Sequence, residues 1–219
     1  MPTRLVDLSH VVEHGMITYK GLPAPLICDY LSREASRQRY APGTEFNIGK
    51  IEMVANTGTY LDSPFHRYEH GTDLAGLPLT SLADLDCIVA RISPEKKSIE
   101  RLPFDKADVR GKAVLVHTGW DRHWRTDQYF KGHPFLTREA AQNLADRGAV
   151  LVGIDSFNID DNTDGTRPVH TILLGAGIPI AEHLTNLGAI PEGPFRFTAA
   201  PVKVKAMGSF PVRAFAAVG

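Results

Sequence analysis

Two short apolar runs, AVLVHTG at residues 113–119 and AVLVGID at residues 149–155, constrain the fold of this chain more than any other feature. Runs of this length that are rich in β-branched residues are typical of strands buried inside a sheet. The segment between them, residues 137–148, contains TREAAQNLADRG, where Thr137 can cap the start of a helix and Gly148 can close its end. The order strand, helix, strand therefore predicts at least one βαβ-like unit.

The rest of the chain is expected to form many short elements, because its 15 prolines and 19 glycines are spread along the whole length. Further strands are predicted at 87–93, at 46–54 with a bulge near Gly49 and Lys50, and twice between Arg196 and Val218, with a break near Gly208 and Ser209. A short helix is predicted after Pro179, with an inner face of Ile180, Leu184 and Leu187. We therefore expect a strand-rich α/β (α+β) fold in a single domain that spans residues 1–219.

The composition excludes some classes of partner. The chain has 219 residues, of which 43% are hydrophobic and 22% are charged, as is ordinary for a globular protein. Its net charge of −1 predicts neither nucleic acid nor an anionic membrane as a partner. The N-terminal segment lacks the apolar core of a signal peptide, and no run approaches the roughly 18 apolar residues of a membrane helix. We therefore expect a soluble cytoplasmic protein.

One acidic stretch has the form of a calcium loop but fails as one. DDNTDG at residues 160–165 matches the first half of an EF-hand loop. The twelfth position of such a loop is a bidentate Glu, whereas this chain has Thr171 there, and Pro168 interrupts the segment. The sequence therefore predicts an acidic surface loop at this point.

The stretch 56-NTGTYLDSPFH-66 combines turn residues with a carboxylate and an imidazole. The proline between them prevents a regular helix, so we expect Asp62 and His66 on a shaped loop. A second pair, His170 and Glu182, is separated by glycines that allow the chain to fold back. Asp, His and Glu side chains together suit Zn²⁺ or Mn²⁺. Spacing alone leaves two interpretations open, a metal site or polar residues that form hydrogen bonds within turns.

Several segments, in a specific order, resemble the cyclase family whose best-known members are bacterial kynurenine formamidases. The resemblance spans nearly the whole chain, through LVDLSH at 5–10, NTGTYLDSPFHRYEHG at 56–71, HTGW at 117–120, GID at 153–155, VHTILLGAGIPIAEHLTNL at 169–187 and PFRFTAAPVKVKAMGSFPVRAFA at 194–216. It implies a strand-rich domain with a mixed sheet or barrel flanked by helices.

The signature of that family is His-Thr-Gly-Thr-His-x-Asp-x-Pro-x-His. Its two leading histidines and its Asp bind one metal, and the Asp can bridge to a second metal held by a later His and Glu. The last His of the signature acts in catalysis. Matched to this sequence, the resemblance implies that Asp62, His170 and Glu182 are metal ligands. It implies a catalytic role for His66.

This sequence departs from the signature at two positions, because Asn56 and Tyr60 replace the two leading histidines. An amide oxygen is a poor zinc ligand, and a phenol with a pKa of about 10 binds metal only after deprotonation. We therefore expect one Zn²⁺ or Mn²⁺ per chain, held by Asp62, His170 and Glu182 together with water.

The resemblance implies a metal-dependent hydrolase of small amides, formamides or lactones that is arylformamidase-like. In such an enzyme, metal-activated water attacks the carbonyl and His66 relays the proton. Tyr60 and Asn56 either donate hydrogen bonds to the developing oxyanion or only fill the space of a lost metal. Two rival functions stay open. One is a metal-free protein that binds a small aromatic or acidic metabolite, and the other is a lyase or isomerase that uses the same site.

Three aromatic residues are candidate walls of a pocket for a flat aromatic substrate, namely Tyr19, Phe65 and Trp120. Two polar residues at the ends of predicted buried strands, His117 and Asp155, are interpreted as structural. His183 is expected to point away from the site, because a helix separates adjacent side chains by about 100°. The resemblance also implies a homodimer or homotetramer in which loops of one subunit close the site of another.

Overall fold

A computed structural model describes residues 4–93, 95–104 and 109–219. This part of the chain is strand-rich, as predicted, with few helices and several single turns of 3-10 helix. Its strands are β1 Arg4–Asp7, β2 Leu26–Leu31, β3 Ile48–Glu52, β4 Tyr60–Asp62, β5 Leu85–Arg91, β6 Ser98–Ile99, β7 Ala113–His117, β8 Phe135–Leu136, β9 Leu151–Ile154, β10 Ile180–Glu182, β11 Phe195–Thr198, β12 Ser209–Pro211 and β13 Phe215–Val218. Its helices are α1 Arg33–Ser36, α2 Arg138–Asp146 and α3 Pro168–Gly175.

Nine of these strands form one mixed sheet in the order β1-β13-β11-β5-β7-β9-β10-β4-β12. The central strands β5, β7, β9 and β10 are parallel, and the outer strands pair antiparallel. The mixed sheet with flanking helices was expected. Over the described ranges its two edge strands, β1 and β12, are not paired with each other, so the sheet does not close into a barrel.

The predicted βαβ unit is confirmed. Strands β7 and β9 are adjacent and parallel, with Ala113 opposite Leu151, and α2 connects them. The side chain of Thr137 accepts a hydrogen bond from the backbone N–H of Ala140, which satisfies one free donor at the helix start. Gly148 follows the helix with a φ of +78°, a left-handed conformation that glycine adopts without a steric cost.

Side chains alternate between the two faces of the sheet along each strand. Both faces are covered by other parts of the chain, so each face carries a buried apolar cluster. One face carries Leu61, Leu115, Leu151 and Ala181. The other face carries Val114, Val116, Val152, Ile154 and Ile180, which pack with α2 and α3 through Ala140, Ala141, Leu144, Val169 and Leu173. Full burial of one Val, Leu or Ile side chain stabilises the fold by about 1.5–3 kcal/mol. The helix-covered face also carries the polar side chains described below.

The prediction of a helix after Pro179 is wrong, because residues Ile180–Glu182 form β10, which pairs with β9 and β4. The helix of this region is α3, which lies earlier in the chain and has Pro168 in its first turn. Ile180 belongs to the core cluster under the helices, so pairing inside the sheet outweighs the helical spacing of the apolar residues.

Two further details differ from the predictions. The tail after residue 194 contains three strands rather than two, and the predicted break lies immediately before the second of them, because β12 begins at Ser209. A register shift lies opposite Gly49, but the extra residue is in β2, between Asp29 and Leu31. Within the described ranges, no helix combines the length and apolarity that a membrane crossing requires.

Candidate active site

Three neighbouring strands place four polar side chains on one face of the sheet. Strand β4 lies between β10 and β12, and the register pairs Tyr60 with Glu182 and Asp62 with Ser209. Directly paired residues project to the same side of a sheet, as do residues two apart on one strand. Ile180, which also pairs with Asp62, packs in the core cluster under α3. The four polar side chains therefore lie on the helix-covered face.

Helix α3 contributes His170, and the buried carboxylate of Asp160 fixes its ring. Asp160 accepts hydrogen bonds from the backbone N–H groups of Val169 and His170 at 2.7 and 3.1 Å and from Nδ1–H of His170 at 2.6 Å. The Nε2 atom of His170 then lies 3.5 Å from Oδ2 of Asp62 and 3.9 Å from Oε1 of Glu182. A carboxylate on the far nitrogen is the usual arrangement for a histidine that binds a metal.

His66 reaches the same place from the 3-10 turn Pro64–His66, which follows β4. A Cβ at Gly208 would lie 2.5 Å from Cα of His66, so only glycine lets the chain before β12 approach this turn. The next residue, Ser209, bridges two side chains. Its Oγ donates a hydrogen bond to Oδ1 of Asp62 and accepts one from Nδ1–H of His66 at 2.9 Å. The bridge occupies Nδ1, so the Nε2 atom of His66 carries the lone pair that can bind a metal or a proton.

The other oxygen of Asp62 makes this cluster suitable for a metal ion. Asp62 is fully buried, and among the described residues its Oδ2 atom has no hydrogen-bond partner. A buried polar atom without a partner destabilises the fold by about 1–3 kcal/mol, so an absent group is expected there. Donor atoms of Asp62, His66 and His170 lie within 4.8 Å of one another. Two ligands at tetrahedral positions around one zinc stand about 3.4 Å apart, close to the 3.5 Å between Asp62 and His170.

Glu182 borders this cluster and is held in place from two sides. Its Oε1 accepts a hydrogen bond from the backbone N–H of Ile159 at 2.7 Å, and its Oε2 accepts a short hydrogen bond from the hydroxyl of Tyr60. The hydroxyl of Tyr19 lies 2.8 Å from that of Tyr60 and also receives a bond from Asn158 at 3.1 Å. A carboxylate has about four lone-pair sites, so Oε1 keeps capacity for a metal.

Burial and charge shift the pKa values of these groups in ways that define their protonation. Burial alone would lower the pKa of His170, but its hydrogen bond to Asp160 and the nearby carboxylates of Asp62 and Glu182 outweigh burial and raise the pKa to about 10. Burial raises the pKa of Glu182, and the charge of Asp62 adds to this effect, while His170 opposes it. Burial, followed by the charge of Glu182, raises the pKa of Tyr60 well above its usual value. Tyr60 is therefore a neutral phenol that donates a hydrogen bond.

A cavity of about 230 Å³ opens in front of the cluster. It is lined by Tyr19, Leu22, Asn56, Tyr60, His66, Arg67, Asn158, Arg167, His170 and Glu182. The structure thus brings five of the six predicted site residues to one cavity, and the sixth, Asp62, lies buried beside them. Their assigned catalytic and metal-binding roles stay predictions.

Some predicted wall residues lie elsewhere. Trp120 packs in an aromatic cluster with Tyr129 and Phe157 and does not line the cavity, and neither does Phe65. His183 follows a strand rather than lying in a helix, and its Nε2 atom is 3.2 Å from the hydroxyl of Tyr19.

Sequence reasoning missed four residues that shape the site. Asp160 is fully buried, so the prediction of an acidic surface loop is wrong at its first residue. Ser209 had only one signal, the neighbouring glycine that marks a close approach of two backbones. Arg67 and Arg167 also line the cavity. The sequence offers no sign of this role except that Arg67 follows His66 and Arg167 lies three residues before His170.

The fold and the cluster of Asp62, His66 and His170 provide a candidate site for a divalent metal. A family model described as Putative cyclase matches residues 6–161, and the chain belongs to this family.

Curated relatives carry a common name. The chain is 26% identical over 210 residues to a kynurenine formamidase of Bacillus thuringiensis subsp. konkukian, which covers 95% of each chain. It is 28% identical over 214 residues to a kynurenine formamidase of Bordetella avium, which covers 96% of each. These relatives support a hydrolase of the cyclase family.

Solved structures share the fold. A potential metal-dependent hydrolase with cyclase activity is 26% identical and has a TM-score of 0.76, with 98% of each chain covered. Isatin hydrolase A from Labrenzia aggregata, bound to benzyl benzoate, has a TM-score of 0.79 with 99% of this chain and 94% of that chain covered. At 21% identity, that second likeness is evidence for the fold alone.

Proposed function

We propose that this protein is a metal-dependent hydrolase of small amides, formamides or lactones, and that it binds one Zn²⁺ or Mn²⁺ per chain. The observation that carries the proposal is the buried Oδ2 atom of Asp62, which faces Nε2 of His170 and has no hydrogen-bond partner among the described residues. The kynurenine formamidase names of its relatives support hydrolysis of an amide C–N bond.

Asp62, His170 and Glu182 are the proposed ligands. The imidazole and both carboxylates offer oxygen and nitrogen donors, a set that suits either metal. A divalent metal there would supply water activated for attack at neutral pH. His66 belongs to the same cluster and is the alternative third ligand. We assign it to proton transfer because Ser209 occupies its Nδ1, which leaves Nε2 free, and because His66 is exposed and lines the cavity.

In the proposed reaction, water adds to the carbonyl carbon and the C–N or C–O bond breaks. His66 takes a proton from the water at Nε2 and delivers it to the departing nitrogen or oxygen, so that the products are a carboxylic acid and an amine or alcohol. The bridge through Ser209 to the Asp62 carboxylate fixes the orientation of the His66 ring during this step. Asn56 and Tyr60 line the same cavity, and they are the proposed donors to the developing oxyanion. Tyr60 would donate there by turning its one hydroxyl proton away from Glu182.

A second candidate, a metal-free binding protein, is favoured by the contact between Tyr60 and Glu182. That hydrogen bond satisfies Oε2 of Glu182 without any ion. It does not satisfy Oδ2 of Asp62, which is the reason for preferring the hydrolase. A lyase or isomerase would use the same groups, with proton abstraction from carbon in place of attack by water.

Metal content tests the proposal. Elemental analysis of protein purified without chelator should find about one zinc or manganese per chain, and Glu182→Ala should lose it. His66→Ala should keep the metal and lose hydrolysis of formanilide, a neutral aromatic formamide. Loss of metal in His66→Ala but not in Glu182→Ala would show that His66, and not Glu182, is the third metal ligand. No metal in the wild type, even after incubation with either ion, would refute the hydrolase and favour the binding protein.

We also propose a homodimer or homotetramer, with the ribbon of β2 and β3 as a contact surface. This ribbon forms a separate two-stranded sheet, and large apolar side chains are exposed on it and beside it, namely Leu26, Tyr30, Phe46, Ile48 and Ile51. Apolar patches of this kind are typical of protein interfaces. Sedimentation of the wild type and of the double variant Tyr30→Ser, Ile51→Ser tests this assembly. A monomeric wild type would refute it. A cytoplasmic location stays a prediction from the sequence.

A further inference from the structure

We infer that Arg67 and Arg167 bind a carboxylate of the substrate, so that the enzyme prefers small acidic amides or esters over neutral ones. The inference rests on the proposed function for the reaction, but the binding itself does not depend on it. Both side chains line the cavity that contains His66 and His170. The cavity encloses about 230 Å³, below the roughly 300–1,000 Å³ of pockets for drug-sized ligands. The occupant is therefore a small molecule.

Neither arginine forms a close ion pair within the described part of the chain, although local hydrogen bonds and then the charge of Arg167 lower the pKa of Asp164. Over the described ranges, no carboxylate oxygen lies within 4.0 Å of the guanidinium of Arg67 or Arg167, whereas Arg37, Arg125, Arg196 and Arg213 all form ion pairs. A planar guanidinium presents parallel N–H donors that match the two oxygens of a carboxylate. Two such groups at one small cavity provide a site for an anion.

Contacts from the side hold Arg67 while its terminal nitrogens stay available. Its Nε donates a hydrogen bond to Oγ1 of Thr171 at 3.3 Å, and its guanidinium carbon lies 5.4 Å from the centre of the Tyr68 ring. Among the described residues, no hydrogen bond from its terminal nitrogens is present. A guanidinium fixed through Nε and an aromatic face is pre-organised, so less side-chain entropy is lost when a ligand binds.

Arg167 adopts a backbone conformation that residues other than glycine rarely take. Its φ and ψ are 47° and 61°, in the left-handed region, directly before α3. Such a conformation is strained and persists where the surrounding structure imposes it, often at functional sites. Its Nη1 atom has only a long contact, 3.4 Å, with the carbonyl oxygen of Asp161. The strained residue thus holds a weakly engaged cation beside the site.

A matched pair of substrates tests the inference, namely 2-formamidobenzoate, which carries a carboxylate, and formanilide, which lacks it. The measured quantity is the ratio of kcat/KM for the acid to kcat/KM for the neutral compound. We expect this ratio to fall by about 10-fold or more in Arg67→Gln and in Arg167→Gln, mainly through KM, as is typical of losing a charged hydrogen bond. Arg67→Lys should lie between, because lysine keeps the charge without the fork.

The matched control is Arg101→Gln, which removes an exposed arginine that does not line the cavity. Its ratio should equal that of the wild type. Circular dichroism of each variant shows whether it is folded. An equal ratio in the wild type, Arg67→Gln and Arg167→Gln would overturn the inference and leave the proposed hydrolase intact.

Calorimetric binding of 2-formamidobenzoate separates the inference from the proposed function. If no compound is hydrolysed but the wild type binds the acid at least tenfold more tightly than the double variant Arg67→Gln, Arg167→Gln, the hydrolase fails and the anion site stands. If wild type and double variant bind the acid equally, or if neither binds it, the anion site is refuted whatever the outcome for catalysis.

Discussion

Two buried aspartates, each beside a histidine, differ in how the protein uses their oxygens. Asp62 and Asp155 are both fully buried. Nε2 of His170 lies 3.5 Å from Asp62, and Nε2 of His117 lies 3.9 Å from Asp155. On composition alone the two pairs are equivalent. The two carboxylates differ in the number of hydrogen bonds that they accept from the rest of the chain.

The carboxylate of Asp155 is saturated, which means that both of its oxygens accept hydrogen bonds from the protein itself. Its two oxygens accept hydrogen bonds from the backbone N–H and the hydroxyl of Thr118 and from the backbone N–H of Gly119, at 2.6 to 3.1 Å. These bonds tie the segment after β7 to the end of β9. Asp62 instead has one oxygen bound by Ser209 and the other without a partner among the described residues.

The comparison separates a structural carboxylate from one available to a ligand. A saturated carboxylate holds two strands together, and removing its charge should alter stability. The carboxylate of Asp62 has an oxygen available for a ligand, and it faces Nε2 of His170, whose other ring nitrogen is fixed by Asp160. Removing its charge should alter metal binding. The predictions below test this division.

The largest expected effect is that of Asp62→Asn on metal binding. The amide keeps the size of the side chain but loses the negative charge, so metal affinity should fall by more than about 100-fold, the upper range for residues that only support a ligand. Competition with a chromophoric chelator measures the affinity. The matched control is Asp155→Asn, which should bind metal as the wild type does.

Equal metal loss in both variants would contradict the division between the two aspartates. Unchanged affinity in Asp62→Asn would remove Asp62 from the ligand set and, with it, the main argument for the hydrolase.

The next largest effect is expected for Asp160→Asn. This residue orients His170 through Nδ1 and does not belong to the cluster of close donor atoms. Loss of such a supporting carboxylate typically costs about 10–100-fold in metal affinity. The same chelator competition measures it, and Asp161→Asn, one residue later in the exposed loop, is the control. A loss as large as that in Asp62→Asn would mean that Asp160 itself binds the ion.

Asp155→Asn should destabilise the fold rather than the site. The new NH₂ group would face donors from Thr118 and Gly119, and a donor left without an acceptor costs about 1–2 kcal/mol in the free energy of unfolding. Urea denaturation of metal-free protein measures this, so that bound metal does not contribute. A variant as stable as the wild type would show that these hydrogen bonds contribute little, and that saturation of a carboxylate is a poor sign of a structural role.

The sequence was sufficient for much of the fold because local patterns were unambiguous there. The runs at 113–119 and 149–155 are continuously apolar at their start, and the segment after Thr137 has a capping residue, so the two strands and the helix form as predicted. Residues 180–182 show the limit of this approach. Their apolar spacing also suits a helix, and only pairing with β4 and β9, which are distant in the chain, decides for a strand.

The site divides in the same way. Its signature residues were found through family resemblance, which supplied a grouping that spacing alone left open. Ser209 could not be found, because its contact with Asp62 is created by strand register across 147 residues. Asp160 was hidden in an acidic stretch that predicts a surface loop. Whether a carboxylate is saturated, as in Asp155, is likewise a property of the tertiary structure.

The smallest expected effect is a pH dependence of stability that Asp155 should confer. Burial, which outweighs the hydrogen bonds from Thr118 and Gly119, raises the pKa of Asp155 from 3.8 to about 7. The folded protein then binds a proton that the unfolded chain releases, so this contribution to stability is full below pH 3.8 and is lost as the pH rises through about 7. Acidification from pH 8 to pH 6.5 should stabilise the wild type by roughly 1 kcal/mol relative to Asp155→Asn.

Urea denaturation of the metal-free proteins at both pH values measures this difference. Because the two proteins share every other titrating group, the subtraction removes the opposite contribution of surface carboxylates whose pKa is lowered, such as Asp7 and Asp84. His117 also faces Asp155, and burial followed by the nearby Arg91 lowers its pKa below 6.5, so its neutral form predominates over this interval. A wild type that gains no stability relative to the variant would mean that the donors around Asp155 outweigh its burial. The carboxylate would then be ionised throughout, and saturation by the protein would suffice to keep a buried charge.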